Sequence, residues 1–357
     1  MPRRGGRWRR LGVNLLVSLG ALLVMALVLE GVIRLTGLAY DPQFDRRGEG
    51  IIVDSSDPAI RKELPRNFDG LMLGARVRTN SFGMRGAETT LRKPPGTFRI
   101  AVLGDSWAFG WGVEQGEDFP SVLEDLLEDR HDAGGVRFEV LNFSVFAYNT
   151  LQELAVLRSR ALAFEPDLVI VAFNLNDVEG HLPPRARHRD LASTIRHLEQ
   201  EAVSGSHLVR LIDDRLRRLA LRMNLERPDK VEHYEGLYRP DSAAWARVRE
   251  ALAEMRDLSR AAGAGIYLVN CPWISVLTPE NPYLDINRKV VETAESLGIP
   301  AFDLFDTFEG HDAAELRISP LDGHPRAEGH RMAAVAILAD LESRGLLPTG
   351  ADVARAQ

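Results

Sequence analysis

Ser106 is the first residue of the chain whose setting suggests chemistry. It ends the tripeptide Gly104-Asp-Ser106, which follows the apolar run Ile100, Ala101, Val102 and Leu103. Such a short continuous run is expected for a parallel strand covered on both faces. Gly104 permits a tight turn. Asp105 and Ser106 then stand just past the carboxyl end of the strand, where open α/β sheets place their ligands. A serine there is a candidate nucleophile, provided the chain supplies partners later. On its own, Gly-Asp-Ser is an ordinary turn. No Gly-Lys-Ser/Thr follows, so it is not a phosphate loop. Nor is it a full Gly-x-Ser-x-Gly elbow, because Ala108 stands where the second glycine belongs. Three further segments follow predicted strands: Asn142-Phe-Ser-Val-Phe-Ala-Tyr-Asn-Thr150, Phe173-Asn-Leu-Asn-Asp177 and, near the C-terminus, Ser319 to His330, which contains Asp322-Gly-His-Pro325.

The elements that would carry these segments alternate. Strands are expected at Arg99–Leu103, Phe138–Phe143, Asp167–Phe173, Gly265–Asn270 and Ile299–Leu304. Between them lie helical stripes, including Val122, Leu123, Leu126 and Leu127 behind Pro120, then Val248, Leu252, Met255 and Leu258, then Ile286, Val290, Ala294 and Leu297. Alternation of this kind implies a parallel sheet with right-handed crossovers. The expected class is α/β, a flavodoxin-like three-layer α/β/α arrangement with a five-stranded, mainly parallel sheet, plus an N-terminal transmembrane helix.

That last element rests on the first 36 residues. Arg3, Arg4, Arg7, Arg9 and Arg10 precede an uncharged run from Leu11 to Leu29. Nineteen residues approach the ~20 needed to cross a bilayer as a helix. The arginines in front of the run favour a cytoplasmic N-terminus. The alternative is a cleaved signal peptide, whose apolar core is usually ~7–15 residues long and ends in a small-x-small site. This run is longer, and no clean Ala-x-Ala follows it. Expected boundaries are a basic tail at 1–10, an anchor at 11–35, a stalk and loop-rich lead-in at 36–95, the main domain at 96–345 and a tail at 346–357. A helical insertion is expected at about 181–262. Within the lead-in, Thr79-Asn-Ser-Phe-Gly-Met-Arg-Gly86 reads as a surface turn.

Composition excludes some classes. The net charge is −7 despite five arginines in the first ten residues, so the body of the chain is acidic. This argues against nucleic-acid binding. Cys271 is the one cysteine, so an intrachain disulfide and a cysteine-based metal cluster are impossible.

The four blocks together resemble the SGNH, or GDSL-type, hydrolase superfamily of serine esterases and acyltransferases, over roughly Asn80 to Leu341. Gly104-Asp-Ser106 looks like its nucleophile block, Leu175-Asn-Asp177 like its Gly-Asn-Asp block, and Asp322-Gly-His-Pro325 like its terminal Asp/His block. Asn80-Ser-Phe-Gly-Met-Arg85 resembles the lead-in of membrane-anchored members. Ser106 needs a base to take its proton. His324 is the candidate, and Asp322 would fix its tautomer. The resemblance implies an oxyanion hole from the Ser106 N–H, the Asn176 side-chain amide and an N–H of the second block, at Ala147. Asp105 is expected to support the turn rather than react, and His330 to sit on a helix face.

Three positions depart from the family pattern. Leu175 replaces the usual glycine of its block. Ala147 also replaces a glycine, and a positive φ would suit it less well. Asp322 lies two residues before the histidine, whereas the family often places Asp three before, where Leu321 stands.

The resemblance implies a membrane-anchored ester hydrolase that cleaves short-chain O-acyl esters of a small molecule or glycan through an acyl-enzyme. Its domain would lie outside the cytoplasm, periplasmic or at the cell surface, and it would need no metal or organic cofactor. Two alternatives are an O-acyltransferase acting on a cell-surface glycan and a non-catalytic binding protein on the same fold.

Overall fold

The computed structural model describes residues 5–36, 51–131, 135–179, 206–209, 211–212, 215, 228–319 and 322–348. The chain divides into two units, residues 1–44 with 185–226, and residues 45–184 with 227–357.

In the first unit, α1 (Gly5–Thr36) is one continuous helix over the apolar segment expected at 11–35. Its segment Leu16–Thr36 is long and apolar enough to cross a membrane. The leucines and valines of this segment are exposed, as side chains facing lipid would be. Glu30 and Arg34, one turn apart, pair at 2.6 Å. The Glu30 carboxylate also accepts from the Ser206 hydroxyl and from the N–H groups of His207 and Leu208.

The second unit starts with two small antiparallel ribbons. β1 (Val53–Asp54) pairs with β2 (Lys62–Glu63), and β3 (Asp69–Met72) with β4 (Ala75–Arg78). Residues 37–50 lie outside the described residues. From 51 onward the lead-in is not a stalk but part of the packed domain. Ile51, Ile60, Leu64, Met72, Val77 and Met84 are buried in the same core as the sheet. They are too irregularly spaced to give a periodic signal, because this segment packs through turns and strands of two to four residues.

The main sheet follows as β5 (Thr97–Gly104), α2 (Ser106–Phe109), α3 (Phe119–His131), β6 (Arg137–Asn142), α4 (Thr150–Ser159), β7 (Leu168–Asn174), α5 (Pro228–Leu237), α6 (Ala243–Ala261), β8 (Gly265–Cys271), α7 (Leu284–Ser296) and β9 (Ala301–Asp303). The chain closes with α8 (Phe305–Phe308), α9 (Ala313–Leu316), β10 (Arg317–Ser319), β11 (Asp322–Pro325) and α10 (Ala327–Ser343). The five strands lie in the order β6-β5-β7-β8-β9, and every neighbouring pair is parallel. This is the flavodoxin order, with its switch point between β5 and β7.

Alternation along β5 sorts the two faces. Ala101 and Leu103 face a core shared with α4, α6 and α7. Ile100 and Val102 face the other core, with α3 and α10. Both sides are covered, and this is why all seven residues of β7 are buried and apolar up to Asn174. Of the expected insertion at about 181–262, residues 180–205 and most of those up to 227 lie outside the described residues. Its last part, α6, is the crossover from β7 to β8. Trp245, Val248, Leu252 and Met255, at helical spacing, are buried along it.

Ile60 is fully buried in the lead-in. Ile60→Ala should cost about 2–5 kcal/mol of the stability of the whole domain, read as a lower urea midpoint with unchanged slope. A freely hanging stalk would leave the midpoint where it was.

Candidate active site

The carboxyl ends of β5 and β7 lie side by side at the switch point, and Ser106, Asn176, Asp322 and His324 gather there, whereas Ala147 is not among the residues that line their cleft. Ser106 opens α2 directly after β5. Its Oγ lies 2.7 Å from His324 Nε2. His324 Nδ1 lies 2.5 Å from Asp322 Oδ1, and the His324 backbone N–H donates to the same oxygen at 3.0 Å. Hydroxyl, imidazole and carboxylate are thus joined in one hydrogen-bonded line.

The Asp-x-His spacing works because these residues form β11 rather than a loop. In a strand, residues i and i+2 point to the same side, so Asp322 and His324 face the serine together. Gly323 points the other way, where a Cβ would meet Trp273 Nε1 at 2.6 Å.

Burial works against the charged form of Asp322. The bonds and charge of His324, with a bond from the Trp111 indole, outweigh it and hold the carboxyl below the ordinary aspartate range. Trp111 Nε1 donates to Asp322 Oδ2 at 3.1 Å.

Asp105 supports the turn, as expected, and also reaches further. Its Oδ1 accepts from the Trp107 N–H at 2.9 Å, capping α2. Its Oδ2 accepts from the Asn176 side-chain amide at 3.0 Å and lies 3.3 Å from Ser106 Oγ. Asn176 sits in a single helical turn, Leu175–Val178, held from three directions. Asn174 Oδ1 accepts from the Leu175 N–H, Asp177 Oδ2 accepts from the Asn174 N–H, and the Tyr238 hydroxyl donates to the Leu175 carbonyl.

The two glycine replacements differ physically. Leu175 is not among the residues with positive φ, so nothing in this turn requires glycine. Ala147 does adopt φ +56°, a left-handed conformation that costs an L-residue about 1–2 kcal/mol. Ala147 is exposed. Its neighbour Phe146 packs edge-on against Trp111, with ring centroids 5.2 Å apart.

Ser106, Trp107, Asn174, Asn176, Tyr234, Trp273, Gly323 and His324 line a cleft of about 250 Å³. A larger cleft of about 910 Å³ lies at the opposite, amino ends of the strands, beside Lys93, Phe98 and Asp167, away from these groups.

Three contributors were not visible in the sequence. Arg85, expected in a surface turn, is fully buried. Its Nη1 donates to the carbonyls of Phe109 and Gly110, and its Nη2 to those of Val113 and Glu114. Its Nε lies 3.4 Å from Asp118 Oδ2. It therefore clamps the loop behind the serine. Trp111, on that loop, stands between two glycines, which is the only local hint of its role.

Glu153, in the first turn of α4, is the third. Neither of its carboxyl oxygens has a hydrogen-bond partner, and the same holds for Asp177 Oδ1. Burial and then the nearby Asp105 push the Glu153 carboxyl well above its usual range. Asp177 is pushed up by burial and then by Glu153 and Asp105, against a pull from the Asn174 N–H.

His330 is on a helix, as expected, but is wholly buried. Burial, then the charges of Arg85 and His324, lowers its pKa to about 3. Its Nδ1 accepts from the Phe119 N–H, and its ring meets Trp107 edge-on. It is a neutral packing residue.

An acid whose folded pKa is raised keeps its proton in the fold after the unfolded chain has lost it. Stability then falls as pH climbs from the ordinary glutamic value of ~4.3 towards the raised one. Glu153→Gln, a neutral isostere, should therefore be more stable than the parent at pH 7 and lose less stability between pH 4 and 7. Urea midpoints across that range measure it. Parallel curves would mean that Glu153 carries its charge in the fold.

The model of the GDSL-like lipase/acylhydrolase family matches residues 102–332, well over half of the chain. No curated protein matches. Several solved structures match this chain at low identity. One is TesA, at 16% identity and a TM-score of 0.42, covering 69% of this chain and 98% of TesA. Another is a catalytic mutant of the acetylxylan esterase Axe2 from Geobacillus stearothermophilus, at 15% and 0.43, covering 68% and 93%. A third is a two-domain esterase active on acetylated mannans, at 16% and 0.42, covering 69% of this chain and 49% of that one. The chain belongs to the GDSL-like lipase/acylhydrolase family of the SGNH superfamily, whose reaction is the hydrolysis of ester bonds.

Proposed function

We propose that the protein is a membrane-anchored serine esterase that removes short O-acyl groups from a small molecule or glycan outside the cytoplasm. The observation that carries this reading is the unbroken line from Ser106 Oγ through His324 to Asp322. Ser106 attacks the ester carbonyl while His324 Nε2 takes its proton. Asp322 holds the imidazole in the required tautomer and stabilises the imidazolium. The tetrahedral oxyanion is met by the Ser106 N–H, which as the first of its helix has no intrahelical partner, by the second hydrogen of the Asn176 amide and by the Ala147 N–H. His324 then returns the proton to the leaving alcohol, and water repeats the sequence on the acyl-enzyme.

The cleft supports a short acyl group. At about 250 Å³ it is smaller than the ~300–1,000 Å³ pockets that enclose drug-sized ligands. The aromatic rings of Tyr234 and Trp273 along it suit the apolar face of a sugar. Transfer to a sugar hydroxyl instead of water would use the same acyl-enzyme, and product analysis with an added sugar acceptor separates the two.

Ser106→Ala and His324→Ala should each lower the hydrolysis of short acyl esters by about 10³-fold or more. The double variant should be little worse than either, because members of one catalytic unit are non-additive. Losses that multiply, or full activity in Ser106→Ala, would remove the triad.

For the anchor, five arginines before the apolar run support a cytoplasmic N-terminus. Alkaline phosphatase fused after Gln357 should be active outside the cytoplasm, with the protein retained in the membrane fraction. A silent fusion, or release of a shortened soluble protein, overturns that topology.

A further inference from the structure

Asp322 needs more than its histidine. The His324 ring and the His324 backbone N–H both use Oδ1. They leave the carboxylate free to pivot about that oxygen, and Oδ2 would then be a buried acceptor without a donor. The partner of Oδ2 among the described residues is the indole N–H of Trp111, at 3.1 Å. We propose that Trp111 is a positioning residue for the ester-hydrolysing site, fixing the plane of the Asp322 carboxylate and, through it, the aim of His324. The proposal rests on the triad reading of Ser106, His324 and Asp322.

The loop that carries Trp111 is built for a fixed ring position. Trp111 lies between Gly110 at φ +85° and Gly112 at φ +75°. A Cβ at Gly110 would meet Asp118 Cβ at 2.5 Å and Arg85 Nη1 at 3.0 Å. The Trp111 N–H donates to the Ser106 carbonyl at 3.1 Å, tying the loop to the nucleophile's own backbone. On either side of Trp111, the buried Arg85 guanidinium binds the carbonyls of Phe109, Gly110, Val113 and Glu114. The indole itself is held by rings. It lies 5.7 Å from the His324 ring, at 35°, and 5.2 Å from Phe146, edge-on. A side chain that served only as packing would need no such control of its N–H direction. With Asp two residues before the histidine, the backbone of β11 supplies one donor to the carboxylate, and Trp111 supplies another from a different part of the chain.

The test is Trp111→Phe in the full-length protein in detergent. It keeps an aromatic ring and removes the N–H. The readout is labelling of Ser106 by a fluorophosphonate, with the maximal rate separated from the apparent affinity. The maximal rate should fall about tenfold, the scale of one hydrogen bond to a charged group, while affinity stays within about twofold. In an Asp322→Ala background, Trp111→Phe should have no further effect on the rate. The 15N-labelled Trp111 indole, identified by its loss in Trp111→Phe, should give a downfield proton that moves upfield in Asp322→Ala. A slow Asp322→Ala variant beside a Trp111→Phe variant of parental rate overturns the role of Trp111 alone, as do effects that simply multiply in the double variant. Failure of Ser106 to label, or an Asp322→Ala variant of parental rate, overturns the triad reading and this proposal with it.

Discussion

The carboxylate of Asp105 joins the two halves of the site. It lies just beyond the end of β5, fully buried, and reaches the turn after β7 through the Asn176 amide. With its other oxygen it caps the helix that Ser106 opens. One side chain therefore sets Ser106 and the Asn176 amide relative to each other, across the switch point where the crossover directions diverge. The site's spacing is inherited from the sheet. Parallel neighbours lie about 4.8 Å apart, and Asp105 spans the gap between the loops that follow them.

The charge around this carboxylate is kept low by its neighbours. Glu153 and Asp177 are buried near it without donors for three of their four oxygens, and both are pushed towards their neutral forms. Full ionisation would put like charges together in a low-dielectric interior, at a cost of several kcal/mol. His330, on the other side of Trp107, is likewise held neutral. A buried positive charge behind the serine, Arg85, is turned away to a separate task. Its two terminal nitrogens donate to four carbonyls and its Nε forms only an ion pair, at 3.4 Å, with Asp118, which ties down the loop behind the serine.

The N-terminal region has two physically different parts. Among the described residues most apolar side chains of α1 are exposed, and its segment Leu16–Thr36 is long and apolar enough to cross a membrane. Residues from Ile51 onward belong to the catalytic domain and supply both apolar core and the Arg85 clamp. The Tyr148 hydroxyl and the Gln152 amide reach back to the carbonyls of Lys62 and Ile60. The lead-in is thereby tied to the same segment that carries Ala147.

The order of strands and helices, the faces of the main helices and the four reactive blocks were legible in the residues. Each depends on local pattern: apolar runs for β5 and β7, i, i+3/i+4 stripes for α6 and α7, and short motifs after strand ends. Ser106 could be named for that reason, and Asn176, Asp322 and His324 through the resemblance of those motifs to a known family. Others could not. Arg85 sits in a turn-like octapeptide, and only packing decides that its guanidinium is buried against a loop 24 to 29 residues away. Glu153 looks like an ordinary acid of a helix's first turn until the sheet closes over it. The adequacy of Asp322, two residues before its histidine, depended on β11 being extended, and that follows from pairing with β10. Ala147 takes a left-handed conformation that its residue type does not favour. Local spacing determined which groups were present and in what order. Long-range contacts decided which of them meet, because burial and hydrogen-bond partners are properties of the assembled core and not of any one segment.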